Sequence, residues 1–204
     1  MPSKGRQRTF RRRPNALSLA KRNRAEILRG REMHYNESAI QTETTATAGE
    51  IFYVSGVAVG DQVDDRTGNK ISNKEHIVNI WFEGDIASRM VRLILFRDMQ
   101  CQGALPAVTD VLSAANIHSQ LNWANRARFS ILRDRYVMLP ATLNDYESHK
   151  MVKFRTKRPM NIEYITDAEA VTGAGKGNVF LLVISLVAGT ADKLRYVYTI
   201  KFLP

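Results

Sequence analysis

The sequence of 204 residues has a single cysteine, Cys101, which excludes an intrachain disulfide and fits synthesis in a reducing compartment. Its longest apolar run begins at Val179 and is about half as long as a membrane-spanning helix. No apolar stretch follows the basic N-terminal residues. The sequence therefore predicts neither a secretory signal nor a membrane partner.

Catalytic patterns are also missing. Four histidines are scattered along the chain, none at the spacing of a metal site: His34, His76, His118 and His149. Cys101 has no histidine near it in the sequence. Residues 172–178 have the composition of a phosphate-binding loop, but Ala170 and Gly177 stand where that motif needs Gly and Ser or Thr. A glycine-rich strand connection is the better interpretation, and we predict that the protein is not an enzyme.

Acidic residues are missing from the N-terminal end, where the first is Glu26. Residues 1–31 hold eleven Lys and Arg against that one Glu, a net charge of +10, which equals the charge of the whole chain. Residues 32–204 are therefore neutral, with nineteen charges of each sign. A cationic arm on a neutral body is expected to bind phosphate. We predict these arm residues to bind nucleic acid: Lys4, Arg6, Arg8, Arg11, Arg12, Arg13, Lys21, Arg22 and Arg24.

The composition divides the chain into an arm with a linker, residues 1–45, and a folded body, residues 46–204. Residues 1–13 are too polar to fold alone and are predicted to be disordered when free. A short helix is predicted between Asn15, a suitable N-cap, and Gly30, a suitable stop. A polar, Thr-rich linker follows. The Arg-rich start also has the composition of a nuclear localisation signal.

Alternation of apolar and polar residues predicts eight strands in the body. They are 50–59, 70–84, 88–98, 127–139, 148–157, 160–166, 178–188 and 193–202. One helix is predicted over residues 106–115. Eight strands without regular helices between them indicate an antiparallel all-β domain. The jelly roll has eight strands and immunoglobulin-like sandwiches have seven to nine, so the count alone leaves both open.

A second basic feature lies within the predicted strand 148–157. Lys153, Arg155 and Lys157 fall on one face of the strand, opposite Val152 and Phe154. Such a stripe can line a surface that binds nucleic acid, and an ordinary solvated strand face explains it equally well.

A series of motifs in the middle of the chain has a familiar order and spacing. The series is Phe96-Arg97-Asp98, Gly103, Pro106, Asp110-Val111-Leu112, Asn116, Ser119-Gln120, Asn122 and Arg128-Phe129-Ser130-Ile131-Leu132-Arg133-Asp134. It resembles the coat proteins of the satellite tobacco necrosis virus group and the related capsid proteins of small circular single-stranded DNA viruses. The resemblance covers residues 46–139, loosely including 54–71, and beyond 140 it depends on strand count and on residues 177–186.

This resemblance implies an eight-stranded antiparallel jelly roll, sixty copies of which close into a small icosahedral (T=1) shell. It implies that the basic, partly helical or disordered N-terminal arm points inward to a single-stranded genome, DNA or RNA. The protein would then be found in the virion, and in the host cytoplasm or nucleus during assembly. Family members can bind calcium at subunit contacts. Asp61, which follows Gly60, matches an acidic position there and is the predicted metal ligand.

The residues themselves leave alternatives open. Asp61, Asp64 and Asp65 are grouped as calcium ligands often are, but the segment lacks the pattern of an EF-hand loop and also fits a solvated turn. A cellular nucleic-acid-binding module with a basic tail is the main competing function, although such a protein is expected to spread its basic charge over the folded surface. A cupin-type enzyme or lectin would need a histidine-based metal cluster.

Overall fold

The structure, a computed structural model, describes residues 33–83, 89–139, 149–187 and 193–204. Within these ranges ten strands are formed: β1 (His34–Glu37), β2 (Gln41–Glu43), β3 (Glu50–Tyr53), β4 (Lys70–Glu83), β5 (Arg89–Asp98), β6 (Phe129–Leu139), β7 (His149–Thr156), β8 (Met160–Glu163), β9 (Asn178–Ser185) and β10 (Lys193–Leu203). One helical turn, α1 (Val108–Val111), and two 3-10 turns, Trp123–Asn125 and Val171–Gly173, complete the elements. None of the described helices is long and apolar enough to cross a membrane.

The strands form two antiparallel sheets. In sheet 1, β10 lies between β1 and β4, and β4 pairs with β7 on its other side. The short strands β2 and β8 also join this sheet, β2 along β10 and β8 along β4. Sheet 2 has the order β3-β9-β5-β6. Each long strand of sheet 1 is therefore matched on one side by two short strands in succession.

The main core lies between the two sheets. Val78 and Ile80 of β4 and Leu93 of β5 are fully buried in one cluster with residues of β9 and β10. A second cluster covers the opposite face of sheet 2, where Phe96 packs with Leu112 of the segment 99–126. Because β5 and β9 are covered on both faces, their sequences are almost continuously apolar rather than alternating.

All eight predicted strands overlap strands β3 to β10, which confirms the antiparallel all-β class. The predicted linker is where the structure differs most, because β1 and β2 lie within it and pair with β10. Their side chains are mostly exposed, so no apolar alternation marks them as strands. Main-chain hydrogen bonds to β10 form them instead.

The strand predicted over 50–59 is too long, since β3 ends at Tyr53. The reason lies with Arg66, which is fully buried. Its guanidinium donates hydrogen bonds to the carbonyls of Val57 (3.0 Å) and Thr166 (2.6 Å), and it lies 4.1 Å above the ring of Tyr164. The chain after Tyr53 leaves sheet 2 to supply carbonyl oxygens to this cation.

The helix predicted over 106–115 is likewise shorter than expected, comprising only α1. Its first turn is closed by the Asp110 carboxylate, which accepts from the Ala107 amide at 3.0 Å. Beyond it, the Ser113 amide donates to the Gln120 carbonyl at 2.9 Å, so the chain folds back on itself. The predicted arm helix and the disordered start lie outside the described residues.

Candidate nucleic-acid interface

The outer face of sheet 1 carries the predicted basic stripe. Along β7, Val152 and Phe154 are buried in the core, whereas Lys153 and Arg155 are exposed on the other face. Lys157, one residue beyond the strand, is also exposed. The predicted alternation is confirmed, and the binding role of the stripe stays a prediction.

Sheet pairing brings a further cation to this stripe. The Glu75 carboxylate on β4 accepts a hydrogen bond from the Arg155 guanidinium, and its other oxygen lies 3.4 Å from the Lys201 ammonium of β10. The hydrogen bond from Arg155 is the main reason that the pKa of Glu75 is lowered. Two cations therefore share one carboxylate, and the group keeps a net positive charge. No described acidic side chain pairs with Lys153.

Lys201 and Arg195 are the residues of this face that sequence reasoning missed. Both lie at alternate positions of β10 with their side chains on the outer side of sheet 1, and both are partly exposed. Their alternation with buried Tyr196, Ile200 and Phe202 was a visible signal. The sheet order places β10 next to β4, so β10 extends the stripe of β7 into a basic face. The sequence alone does not give this order.

The cavity beside β2 and β3 is unsuited to phosphate. It has a volume of about 650 Å³ and is lined in part by Glu43, Glu50 and Tyr196. Burial, with a smaller effect from Glu43, raises the pKa of Glu50. Carboxylates that already repel one another would repel a nucleic-acid backbone as well.

The glycine-rich stretch at 172–178 is a strand connection, as interpreted from the sequence. The Gly175 amide donates to the Glu163 carbonyl at 2.9 Å, and the Glu163 amide donates to the Lys176 carbonyl at 2.9 Å. A Cβ on Gly175 would lie 2.8 Å from the Glu163 carbonyl oxygen, so the close approach of the two backbones requires glycine. Gly175 therefore allows the two chain segments to pack closely.

The motif residues that carry the family resemblance hold the segment 99–126 over sheet 2. The Asp98 carboxylate is fully buried and accepts from the Arg128 guanidinium at 2.8 Å, while also accepting from the Gln100 amide at 2.8 Å. On the neighbouring strands, Arg92 and Asp134 form a bidentate pair at 2.9 and 2.7 Å. These residues stabilise the fold.

Asp61 lies exposed in the loop after β3. In the same loop, the Asp65 carboxylate accepts from the Gln62 amide at 3.3 Å. No group of three or more His, Cys, Asp or Glu side chains in the described ranges is arranged to bind a metal ion. The calcium site predicted at Asp61 stays a prediction.

Cys101 and His76 are both buried. Burial raises the pKa of the Cys101 thiol, whose sulfur contacts the Ala174 carbonyl oxygen at 3.5 Å. His76 is fully buried with Nε2 at 2.7 Å from the Val54 carbonyl oxygen, so Nε2 donates and carries the proton. Burial lowers the pKa of His76 to about 4. A thiol kept neutral and an imidazole kept neutral fit packing roles.

Comparison with known proteins decides the family. The sequence pattern of the satellite tobacco necrosis virus coat protein family matches residues 7–204. The chain belongs to this coat protein family. It is 32% identical over 163 residues to the capsid protein of Satellite tobacco necrosis virus 1, with 76% of this chain and 80% of that protein covered. It is 30% identical over 162 residues to the coat protein of Maize white line mosaic Satellite virus, covering 76% of this chain and 73% of the relative.

Membership in the satellite tobacco necrosis virus coat protein family makes the chain a viral capsid protein and a component of a virion. A coat protein is a structural protein. The resemblance identified from the residue motifs is confirmed.

Proposed function

We propose that this coat protein self-assembles into a T=1 icosahedral shell of sixty subunits and packages a single-stranded genome, DNA or RNA, through its Arg-rich N-terminal arm. The family match over residues 7–204 carries the proposal. The charge distribution supports it, because the whole net charge of +10 lies in residues 1–31.

The shell domain is proposed to be an eight-stranded jelly roll. β1 and β2 run in succession along β10, and β7 and β8 run in succession along β4. When each pair is counted as one interrupted strand, both sheets have four strands. Consecutive strands then lie in opposite sheets, except for β5 and β6, which are neighbours in sheet 2, and this order supports the two Greek keys of a jelly roll.

The arm is proposed to neutralise the genome from inside the shell. Guanidinium groups bind phosphate bidentately and keep their charge, and phosphate contacts carry no base information. Packaging is therefore expected to be largely independent of sequence. Sixty arms would supply about 600 positive charges, which suits one short genome per particle. The arm residues concerned are Lys4, Arg6, Arg8, Arg11, Arg12, Arg13, Lys21, Arg22 and Arg24.

The outer face of sheet 1 is proposed to add a second, weaker contact with the genome. Lys153, Arg155 and Lys157 are exposed there, and Lys201 joins them through Glu75. Because Glu75 neutralises part of this charge, the face contributes fewer phosphate contacts than the arm.

Electron microscopy of the purified full-length protein, with and without a single-stranded oligonucleotide, tests the proposal. Closed particles of one diameter are expected, with nucleic acid inside when the oligonucleotide is present. A protein that stays strictly monomeric over a range of salt and pH, with nucleic acid present, would overturn it. Sequencing the nucleic acid extracted from particles identifies the genome as DNA or RNA.

A further inference from the structure

Trp81 lies on the outer face of sheet 1 between two exposed or partly exposed neighbours. Its sequence neighbours Ile80 and Phe82 are buried between the sheets, so the indole of Trp81 is on the opposite face and partly exposed. The strand register places Arg195 of β10 and Met151 of β7 directly beside it. Side chains that face each other in this way have Cβ atoms about 5 Å apart.

A second cation lies one step further along the sheet. Lys153 is opposite Asn79, two residues from Trp81 on β4, and is therefore a diagonal neighbour of Trp81, at a separation of about 7–8 Å or somewhat less between Cβ atoms. Lys153 is exposed, and no ion pair joins it to another residue in the described part of the chain. The indole thus has a guanidinium on one side and an ammonium diagonally on the other.

This face combines apolar and cationic side chains. Met151 is 57% exposed, and Trp81 and Ile77 are partly exposed among cations. Contact with water does not stabilise an exposed indole or thioether. A single nucleic-acid strand, in contrast, can contact apolar side chains with its bases and cations with its phosphates. Its bases stack on aromatic rings while its phosphates pair with Lys and Arg.

We propose that Trp81 is a base-stacking site for single-stranded nucleic acid, with Lys153 binding a neighbouring phosphate. The inference rests on the proposed packaging of a single-stranded genome and names where on the folded domain its bases are held. Stacking needs unpaired bases, so the site selects single strands over duplexes. It tolerates every base, because each has an aromatic face. Charge then comes mainly from residues 1–31, where Phe10 is the only aromatic residue, and stacking comes from sheet 1.

The chain has two tryptophans, which makes the site directly observable. The second, Trp123, is 73% exposed on the 3-10 turn that follows α1, beneath the Arg126 guanidinium. In a Trp123→Phe protein, the fluorescence arises from Trp81 alone. Titration with an oligothymidylate should quench it, and titration with inorganic polyphosphate of equal charge should leave it nearly unchanged. Equal responses to both ligands would overturn the stacking site.

Affinity measurements separate stacking from charge. Trp81→Leu should weaken oligothymidylate binding about tenfold without changing its salt dependence, because stacking is lost and no cation is removed. Trp81→Phe should retain most of the affinity, and Met151→Leu serves as the matched apolar control. Lys153→Gln should reduce the log–log salt slope by about 0.7. If Trp81→Leu does not fold, the quenching experiment on the Trp123→Phe protein still decides.

The outcomes distinguish this inference from the proposed function. If the full-length protein binds the oligonucleotide with a steep salt slope while Trp81 fluorescence does not change, only the stacking site is wrong. If the full-length protein does not bind at all, the proposed packaging is wrong too. If Trp81 fluorescence changes with protein concentration and without nucleic acid, the face is a contact between copies of the chain, and the stacking site is overturned.

Discussion

The Arg128 guanidinium and the Asp98 carboxylate form a salt bridge of 2.8 Å that joins the start of β6 to the end of β5. Asp98 is fully buried, whereas the Arg128 side chain is 28% exposed. Arg128 also lies 3.6 Å from the Asp110 carboxylate in α1. One cation thus connects two strands of sheet 2 with the segment that covers them.

Removing the Arg128 guanidinium should therefore destabilise the fold. Arg128→Ala leaves the Asp98 carboxylate buried without its counter-ion, and we expect the free energy of unfolding to fall by about 3 kcal/mol. Urea unfolding of dissociated subunits measures this. The matched control is Arg155→Ala on the solvated face of sheet 1, where the change should stay below about 1 kcal/mol. Similar values for the two variants would contradict the role assigned to the pair.

Buried His76 should make the fold less stable in acid. Its pKa is about 4 in the folded protein, below the ordinary value of 6.5. The unfolded chain therefore binds a proton at a higher pH than the folded chain. The free energy of unfolding should therefore have its full value above about pH 6.5 and fall as the pH drops toward 4. The total decrease due to His76 should be about 3 kcal/mol.

Urea unfolding at a series of pH values tests this prediction. His76→Gln keeps a donor for the Val54 carbonyl and does not titrate, so its stability should change less between pH 6.5 and 4 than that of the wild type. His118→Gln, a substitution of an exposed histidine, is the matched control. A wild-type curve that runs parallel to that of His76→Gln would show that burial does not perturb His76.

The arm should dominate the affinity for nucleic acid. Deleting residues 2–31 removes ten net charges and leaves all the described strands in place. For single strands each neutralised phosphate releases about 0.7 counterion, so ten contacts give a log–log salt slope near −7, against about −1 to −2 after deletion. Fluorescence anisotropy of a labelled oligonucleotide over a salt series measures both slopes.

Charge rather than side-chain shape should set that slope. Replacing Arg11, Arg12 and Arg13 with Lys keeps the charge count and should keep most of the slope. If the truncated protein binds as tightly as the intact one and with the same slope, the arm does not bind the genome. The Arg-rich segment would then be better explained as a nuclear localisation signal.

Calcium should stabilise assembled particles if Asp61 is a ligand between subunits. We expect a chelator to lower the melting temperature of wild-type particles, because a ligand bound only to the assembled state stabilises it. Asp61→Asn should remove this sensitivity, and Asp64→Asn in the same loop is the matched control. Equal melting of wild-type particles with and without chelator would exclude the site.

The strands that bury a face were predictable from the sequence alone. β4, β7 and β10 alternate because one face is in the core, and β5 and β9 are apolar throughout because both faces are covered. β1 and β2 were not predictable, since their polar side chains carry no alternation and only main-chain pairing with β10 forms them. The buried position of Arg66 was hidden for a similar reason, because its partners are main-chain carbonyls distant in the sequence.

The candidate interface was predictable only in part. The stripe along β7 is visible because Lys153, Arg155 and Lys157 lie at alternate positions in the sequence. Glu75 and Lys201 lie on different strands, and one sequence does not state which strands are neighbours. Trp81 appeared in the sequence as one more apolar residue of β4, and its place beside Arg195 follows from the register of sheet 1.

The place of β10 in sheet 1 has a consequence for the timing of synthesis. β1 and β2 lie near the start of the described chain, and β10, the strand with which both pair, is the last of the ten to leave the ribosome. During translation β4 can already pair with β7 and β8, while β1 and β2 wait. Contacts between such distant parts of a chain form slowly. The basic N-terminal residues therefore leave the ribosome long before sheet 1 is complete, and the newly made protein passes through a stage that has the full arm charge and no finished domain to assemble.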